Sequence, residues 1–161
     1  MDATLLGWLP LDAIERVLAA PLGELWVALA FFAITASAYA TGLPGTLLPI
    51  SFSSGALLGV PGTIAVAAGV VIGAQALYLM LERGSRSTLR EKYGDHLSRL
   101  DGLVAKGGII PLIGLRLAGL PHIAVTALCA LAAVGPRRYA LATAVGVLPA
   151  VTLSSIAGMA L

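Results

Sequence analysis

The sequence has little charge, and most of that charge is concentrated in one stretch. Charged residues make up 11% of the 161 residues, against about 25% in an ordinary soluble domain. Between Leu25 and Leu81 there is no Asp, Glu, Lys, Arg or His. Together with 58% apolar residues and a mean hydropathy of +0.96, this excludes a soluble domain or a disordered tail. It predicts an integral membrane protein, and a net charge of only +2 gives no sign of a nucleic-acid partner.

Residues that support catalysis or bind metals are also scarce. The single cysteine, Cys129, cannot form a disulfide within the chain, and it has no neighbouring metal ligands in the sequence. The apolar blocks contain no paired carboxylates, and the chain has no phosphate-binding glycine loop. We therefore expect neither an enzyme nor a cofactor.

The first apolar block is interrupted by proline and glycine. A spanning helix needs about 20 apolar residues, and residues 25–40 and 63–81 are free of proline. Residues 41–62 between them contain three prolines and five glycines, which disfavour a continuous helix. We predict that 41–62 forms two half-helices folded back as a re-entrant hairpin, buried in protein or lining water.

The second apolar block follows the same plan. Residues 107–134 are too many for one span and too few for two, and residues 119–121 divide them near the middle. Basic residues flank this block on both sides, which the positive-inside rule places on the cytoplasmic face. We predict a second re-entrant hairpin, followed by a last span over Tyr139–Leu161.

The predicted fold is therefore all-α and integral to the membrane, with three spanning helices and two opposed re-entrant hairpins in an inverted repeat. Residues 1–24 form an interfacial amphipathic segment ahead of one domain, 25–161. That domain consists of a first half (25–82), an amphipathic cytoplasmic linker helix (83–106) and a second half (107–161). We expect a cytoplasmic N-terminus, a first span that exits and a second span that returns.

Arg116 is the residue that most suggests a function. It lies inside the second predicted hairpin, where burying a guanidinium costs at least about 2.5–3.5 kcal/mol, and neither apolar block offers it an acid. A phosphate brought by a ligand would compensate its charge in bidentate geometry. The alternative is structural, with Arg116 tying the hairpins together or snorkelling to the interface. His122, beside Pro121, is a second titratable group, either a proton relay or a satisfied polar filler.

The candidate substrate-binding residues lie at the predicted hairpin tips and their flanks. They are Arg116, Gly119, Pro121 and His122 in the second hairpin, Pro44, Gly45 and Pro49 in the first, and Arg137 after the second.

From about Thr41 to Leu161 the sequence resembles the DedA family, whose members carry the VTT domain, also called the SNARE-associated Golgi protein domain. The resemblance lies in the Pro/Gly-rich hairpin leading into Gly55-Ala-Leu-Leu-Gly59, in Arg83-Gly-Ser85, in Leu115-Arg-Leu117 and in Arg138-Tyr139. It implies opposed re-entrant hairpins and lipid translocation, with the family's arginine on Arg116 and its proline on Pro121. Relatives that couple transport to protons keep an acid in the first hairpin, and this chain has none there.

These observations predict a lipid transporter of flippase or scramblase type. It would move a phosphate-bearing lipid, such as undecaprenyl phosphate or a phospholipid, between the leaflets of a bacterial inner membrane. Its partners would be anionic membrane lipids, and a homodimer is a further expectation. A carrier for a small inorganic anion and a noncatalytic membrane scaffold are the alternatives.

Overall fold

A computed structural model describes residue 16 and residues 19–84, 110–117, 121–132 and 134–160. Within these ranges the chain is helical and contains six helices longer than one turn. They are α1 (Gly23–Ala40), α2 (Leu47–Leu58), α3 (Val60–Gly84), α4 (Ile110–Leu117), α5 (His122–Leu131) and α6 (Pro136–Met159). Most of the predicted interfacial segment, 1–24, and most of the linker helix, 83–106, lie outside the described residues.

Three helices are long and apolar enough to cross a membrane: α1 with 18 residues, α3 with 25 and α6 with 24. At 1.5 Å per residue α3 is about 37 Å long. Large apolar side chains stay exposed on their outer faces, including Trp26 (63% exposed), Ile64 (64%) and Leu153 (69%). Such a surface is stable in hydrocarbon rather than in water. The protein is an integral membrane protein whose described residues form an all-helical fold, as predicted.

Helices α1 and α3 run parallel. Gly69 packs against the backbone of Phe32, and Gly73, one turn later, packs against Tyr39. Both helices therefore advance in the same direction along the contact. The prediction that the second span runs back across the membrane, opposite to the first, is wrong. The chain has already returned through α2 to the level at which α1 begins, so α3 runs in the same direction as α1.

Helix α6 runs antiparallel to α3. Tyr78 near the end of α3 stacks on Tyr139 near the start of α6, with ring centroids 4.6 Å apart. These two rings are fully buried, together with Val66 and Val70 on α3 and Val151 on α6. The interface between α3 and α6 therefore forms the centre of the core.

The segment 41–62 contains one helix instead of the two predicted half-helices. Residues 41–46 form turns, α2 follows, and Gly59 (φ 61°) reverses the chain directly into α3. Gly55 and Gly158 let the backbones of α2 and α6 touch, since a Cβ at Gly55 would overlap the Ser155 backbone. The last residues of the predicted hairpin, 60–62, thus form the first turn of α3. This helix begins three residues before the start at 63 that was predicted for the second span.

The second apolar block contains two short helices, as predicted. Helix α4 ends at Leu117 and α5 begins at His122, with Pro121 as its N-cap. Residues 118–120 lie outside the described ranges. Helix α6 then begins three residues earlier than predicted, at Pro136, and continues through Pro149 to Met159.

Candidate functional site

Arg116 lies in the last turn of α4, and its side chain rests on α6. A Cβ built on Gly146 would lie 3.0 Å from both Cβ and Cδ of Arg116. Gly146 is the eleventh of the 24 residues of α6, so this contact is close to the middle of that helix. The missing side chain at Gly146 gives the arginine room to lie flat against the helix.

The guanidinium of Arg116 lies over the ring of Tyr139, with Cζ 5.1 Å from the ring centroid. A cation at this distance from an aromatic face is attracted to the ring quadrupole. The Nη2 atom of Arg116 is buried and has no hydrogen-bond partner among the described residues. Since unpaired buried donors are rare and costly, Nη2 is the donor in this site that is open to an incoming acceptor.

His122 joins the end of α1 to the start of α5. Its Nε2 lies 3.2 Å from the backbone oxygen of Tyr39, and the two rings pack with centroids 4.4 Å apart. Because a carbonyl only accepts hydrogen bonds, Nε2 carries the proton in this contact. The end of α1 and the start of α5 are thereby held together, and Gly42 lies against Ile123 beside this contact.

Thr126 on α5 connects His122 to α6 through hydrogen bonds. Its hydroxyl donates to the backbone oxygen of His122 at 2.8 Å and lies 2.7 Å from the hydroxyl of Tyr139. A hydroxyl has one proton, so the Tyr139 hydroxyl is the donor to Thr126. Tyr139 therefore contacts Thr126 through its hydroxyl and Arg116 through its ring, which fixes both in relation to α6.

Arg116, His122 and Gly146 line a cavity of about 160 Å³, a volume equal to about five water molecules. Five of the six helices contribute to its wall: Tyr39, Leu47, Arg116, His122, Val125, Gly146, Val147 and Ala150. The polar groups in this wall are the guanidinium, the imidazole and a tyrosine, and the remainder is apolar. The wall therefore combines one cationic side chain with a largely apolar lining.

The family model that matches the chain is that of the VTT domain, over residues 43–160. The chain belongs to the VTT-domain family. This confirms the resemblance to DedA and SNARE-associated Golgi proteins. No curated protein and no solved structure matches the chain. The VTT domain includes α2 to α6, so Tyr39 is the one residue of the cavity wall that lies before the matched region.

Of the predicted site residues in the VTT domain, Arg116 and His122 line the same cavity. Pro121 precedes His122 as an exposed N-cap residue, and Gly119 lies outside the described residues. The remaining four are exposed and lie apart from the cavity wall: Pro44 and Gly45 in the turn before α2, Pro49 in the first turn of α2, and Arg137 at the start of α6.

Sequence reasoning missed Tyr39, Thr126, Tyr139 and Gly146. The two tyrosines carried a usable signal, because a hydroxyl in an apolar segment must find a hydrogen-bond partner. Gly146 carried none, since glycine is frequent in membrane helices for many reasons. Its role depends on a contact with α4, which the sequence does not reveal.

Proposed function

We propose that this VTT-domain protein moves a phosphate-bearing lipid between the two leaflets of a membrane, with Arg116 holding the phosphate. The supporting observation is the buried Nη2 of Arg116, which has no partner among the described residues and lies beside a small cavity level with the middle of α6. A phosphate would accept hydrogen bonds from this guanidinium and supply the negative charge that the apolar blocks lack. Undecaprenyl phosphate and phospholipids both fit this description, and a bacterial inner membrane is the proposed location.

Two opposed re-entrant hairpins would place this cavity at mid-depth. Tyr39, near the end of α1, lies at the level of Gly73 on α3. From Gly73 to the end of α3 there are eleven residues, a distance of about 16 Å along the helix. From that turn α2 runs back for 12 residues, about 18 Å, to the start of α3. The sum of about 34 Å is close to the 30 Å thickness of the hydrocarbon core. The first hairpin in this proposal is α1 with α2, and α1 is its outer arm.

The second hairpin would be α4 with α5, entering from the opposite face. Helix α5 runs for 10 residues, about 15 Å, from His122 toward the start of α6. The two proposed hairpins are in contact where His122 binds the Tyr39 backbone. Each half then has two hairpin arms followed by a long helix, and the long helices α3 and α6 are antiparallel, which supports an inverted repeat.

The basic residues suggest an orientation. Arg83 at the end of α3 and Arg137 at the start of α6 lie at the same end of the helices, because Tyr78 stacks on Tyr139. The positive-inside rule assigns that end to the cytoplasm. Since α1 is parallel to α3, α1 would begin on the opposite face. This proposal differs from the expectation drawn from the sequence, in which the N-terminus is cytoplasmic and the first span leaves the cytoplasm.

In this proposal transport depends on the contact between the two hairpins, α1–α2 and α4–α5. A lipid phosphate entering from either leaflet must reach the cavity past one hairpin, while its tail can stay in the bilayer. Opening of α1–α2 or of α4–α5 in turn would expose Arg116 to one face at a time. The activity proposed is movement of the lipid without a change in its covalent bonds.

A noncatalytic scaffold is the second candidate, because the contacts of Arg116 with Tyr139 and Gly146 are also those of a structural residue. The scaffold differs from the transporter in one expectation. If Arg116 only joins α4 to α6, its removal should lower the stability of the fold without affecting any transport that the remaining folded protein performs.

The test is a vesicle assay with purified protein and phosphatidic acid carrying a fluorescent label. Reduction of the label from outside measures how much lipid reaches the outer leaflet. We expect rapid exchange with the native protein, its loss with Arg116→Ala, and native rates with Arg83→Ala. Arg83 is a matched control because it is an exposed arginine at the end of α3.

Three outcomes contradict the proposal. No exchange with the native protein rejects lipid movement, and uptake of radiolabelled phosphate in its place supports the inorganic anion carrier. An Arg116→Ala protein that folds and still exchanges lipid shows that the guanidinium is not required. Loss of most of the folded protein in Arg116→Ala, with native exchange per molecule in the fraction that stays folded, supports a structural role for the arginine.

A further inference from the structure

A second and larger cavity lies between α3 and α6. Its volume is about 510 Å³, and its wall consists entirely of aliphatic side chains, including Ala68 and Ile72 on α3 and Ala144 and Leu148 on α6. Ile72 is 54% exposed and Leu148 46% exposed, so the cavity opens to the surroundings of the helices. We call it the α3–α6 groove.

Val147 separates the groove from the arginine cavity. It lines both spaces, and it follows Gly146, on which the side chain of Arg116 rests. The two spaces therefore lie on neighbouring faces of α6 at the same level and share the wall residue Val147. One is apolar throughout, and the other contains the unpaired Nη2 donor of Arg116.

We propose that the α3–α6 groove binds a hydrocarbon chain of the same lipid molecule whose phosphate contacts Arg116. This inference rests on the proposed function and adds a binding site for the chain. In a phosphate-bearing lipid the anionic group and the chain are covalently linked a few bonds apart, which matches an anion site and an apolar groove that share the wall residue Val147.

The small residues of the groove explain its shape. Ala67, Ala68 and Ala144 line it, where larger side chains on α3 and α6 would close the space between the helices. Packed apolar interiors normally leave few such spaces. In a membrane the space fills with hydrocarbon, and the adjacent guanidinium would select a chain that carries a phosphate over one that does not.

The experiment uses the purified full chain in maltoside micelles and two photoreactive probes. One is a phosphatidic acid with a diazirine in its acyl chain, and the other is a diacylglycerol with the same chain. We expect phosphatidic acid to label the groove peptides of α3 and α6 about tenfold more than diacylglycerol, a ratio that corresponds to about 1.4 kcal/mol. Arg116→Ala should remove this excess.

Filling the groove gives an independent variant. Ala144→Leu places a larger side chain in the groove, and it should reduce labelling of the α3 and α6 peptides severalfold. Ala157→Leu is the matched control, because Ala157 is an exposed alanine on the same helix and lies outside the groove wall. Protection of the buried Cys129 thiol (2% exposed) from a maleimide verifies that each variant is folded.

The inference is overturned if both probes label the protein equally, or if Ala144→Leu is labelled at the native level. Neither result contradicts the transport proposal, which the vesicle assay tests separately. Cross-linking of two protein copies through groove peptides also overturns it, since the groove would then be a dimer contact. Phosphate-dependent labelling by a protein that moves no lipid in vesicles supports the chain site and contradicts the transport proposal.

Discussion

Replacing Gly146 with alanine tests whether the position of the Arg116 side chain matters beyond its charge. The new Cβ would lie 3.0 Å from Cβ and Cδ of Arg116, whereas ordinary contact begins at 3.4 Å. The arginine must therefore move away by at least about 0.4 Å. No charge is lost and no other residue changes.

The expected effect on stability is small. Alanine in place of glycine stabilises a helix interior by about 0.8–1 kcal/mol in aqueous host peptides. Moving the arginine off its preferred rotamer costs about 0.5–1.5 kcal/mol. These contributions nearly cancel, so the free energy of unfolding should change by about 1 kcal/mol or less.

The expected effect on transport is larger. A charge-assisted hydrogen bond contributes about 1.5–3 kcal/mol and weakens beyond the usual donor–acceptor range of about 2.7–3.2 Å. If displacement of the guanidinium removes half of one such bond, about 0.75–1.5 kcal/mol, lipid exchange should fall about three- to twelvefold. Thermal unfolding monitored by labelling of the Cys129 thiol measures stability, and the vesicle assay measures exchange.

The control is Gly114→Ala on α4, where a Cβ would meet no atom within 4 Å. This variant should exchange lipid at the native rate. A Gly146→Ala protein that is stable and exchanges lipid as fast as the native protein would refute the reasoning, because the phosphate site would then not depend on where α6 holds the arginine.

Three further predictions follow from the described contacts. Gly55→Ala should lower stability by about 1–3 kcal/mol, because its Cβ would overlap the α6 backbone; thermal unfolding measures this, and an effect no larger than that of Gly114→Ala would contradict it. Tyr139→Phe should cost about 0.5–1.5 kcal/mol through loss of the hydroxyl that donates to α5, while the ring contact with the arginine remains; an unchanged unfolding temperature would contradict this. Cysteines at positions 24 and 137, introduced separately with Cys129→Ser, should react with an impermeant maleimide from opposite faces of the membrane, and labelling of both from one face would reject the proposed orientation.

Much of the fold could be predicted from where charge, proline and glycine occur. The absence of charge between Leu25 and Leu81 identified the membrane blocks, and Pro121 marked the division between α4 and α5. The direction of α3 could not be predicted in the same way. It depends on α2, which returns the chain to the level at which α1 begins, and Gly69 and Gly73 then let α3 pack closely beside α1. Neither contact leaves a pattern in hydropathy.

The residues of the candidate site also fall into two groups, those that could be predicted from the sequence and those that could not. Arg116 and His122 stand out because a titratable group in an apolar segment is rare. Their surroundings come from distant parts of the chain, with Tyr39 on α1 and Gly146 on α6. The sequence therefore identified the charged group, but only the packing of α4 on α6 reveals which of its atoms is left without a partner.

A bound phosphate would offset part of the cost of placing Arg116 in the membrane. Burying the guanidinium costs at least about 2.5–3.5 kcal/mol. Its contact with the Tyr139 ring contributes about 0.5–2 kcal/mol, which leaves a deficit of about 0.5–3 kcal/mol. The unpaired Nη2 does nothing to reduce that deficit. A phosphate accepting one charge-assisted hydrogen bond would contribute about 1.5–3 kcal/mol, enough to offset most of it. If so, a phosphate-bearing lipid should raise the unfolding temperature of the native protein, and the same lipid should have no such effect on Arg116→Ala.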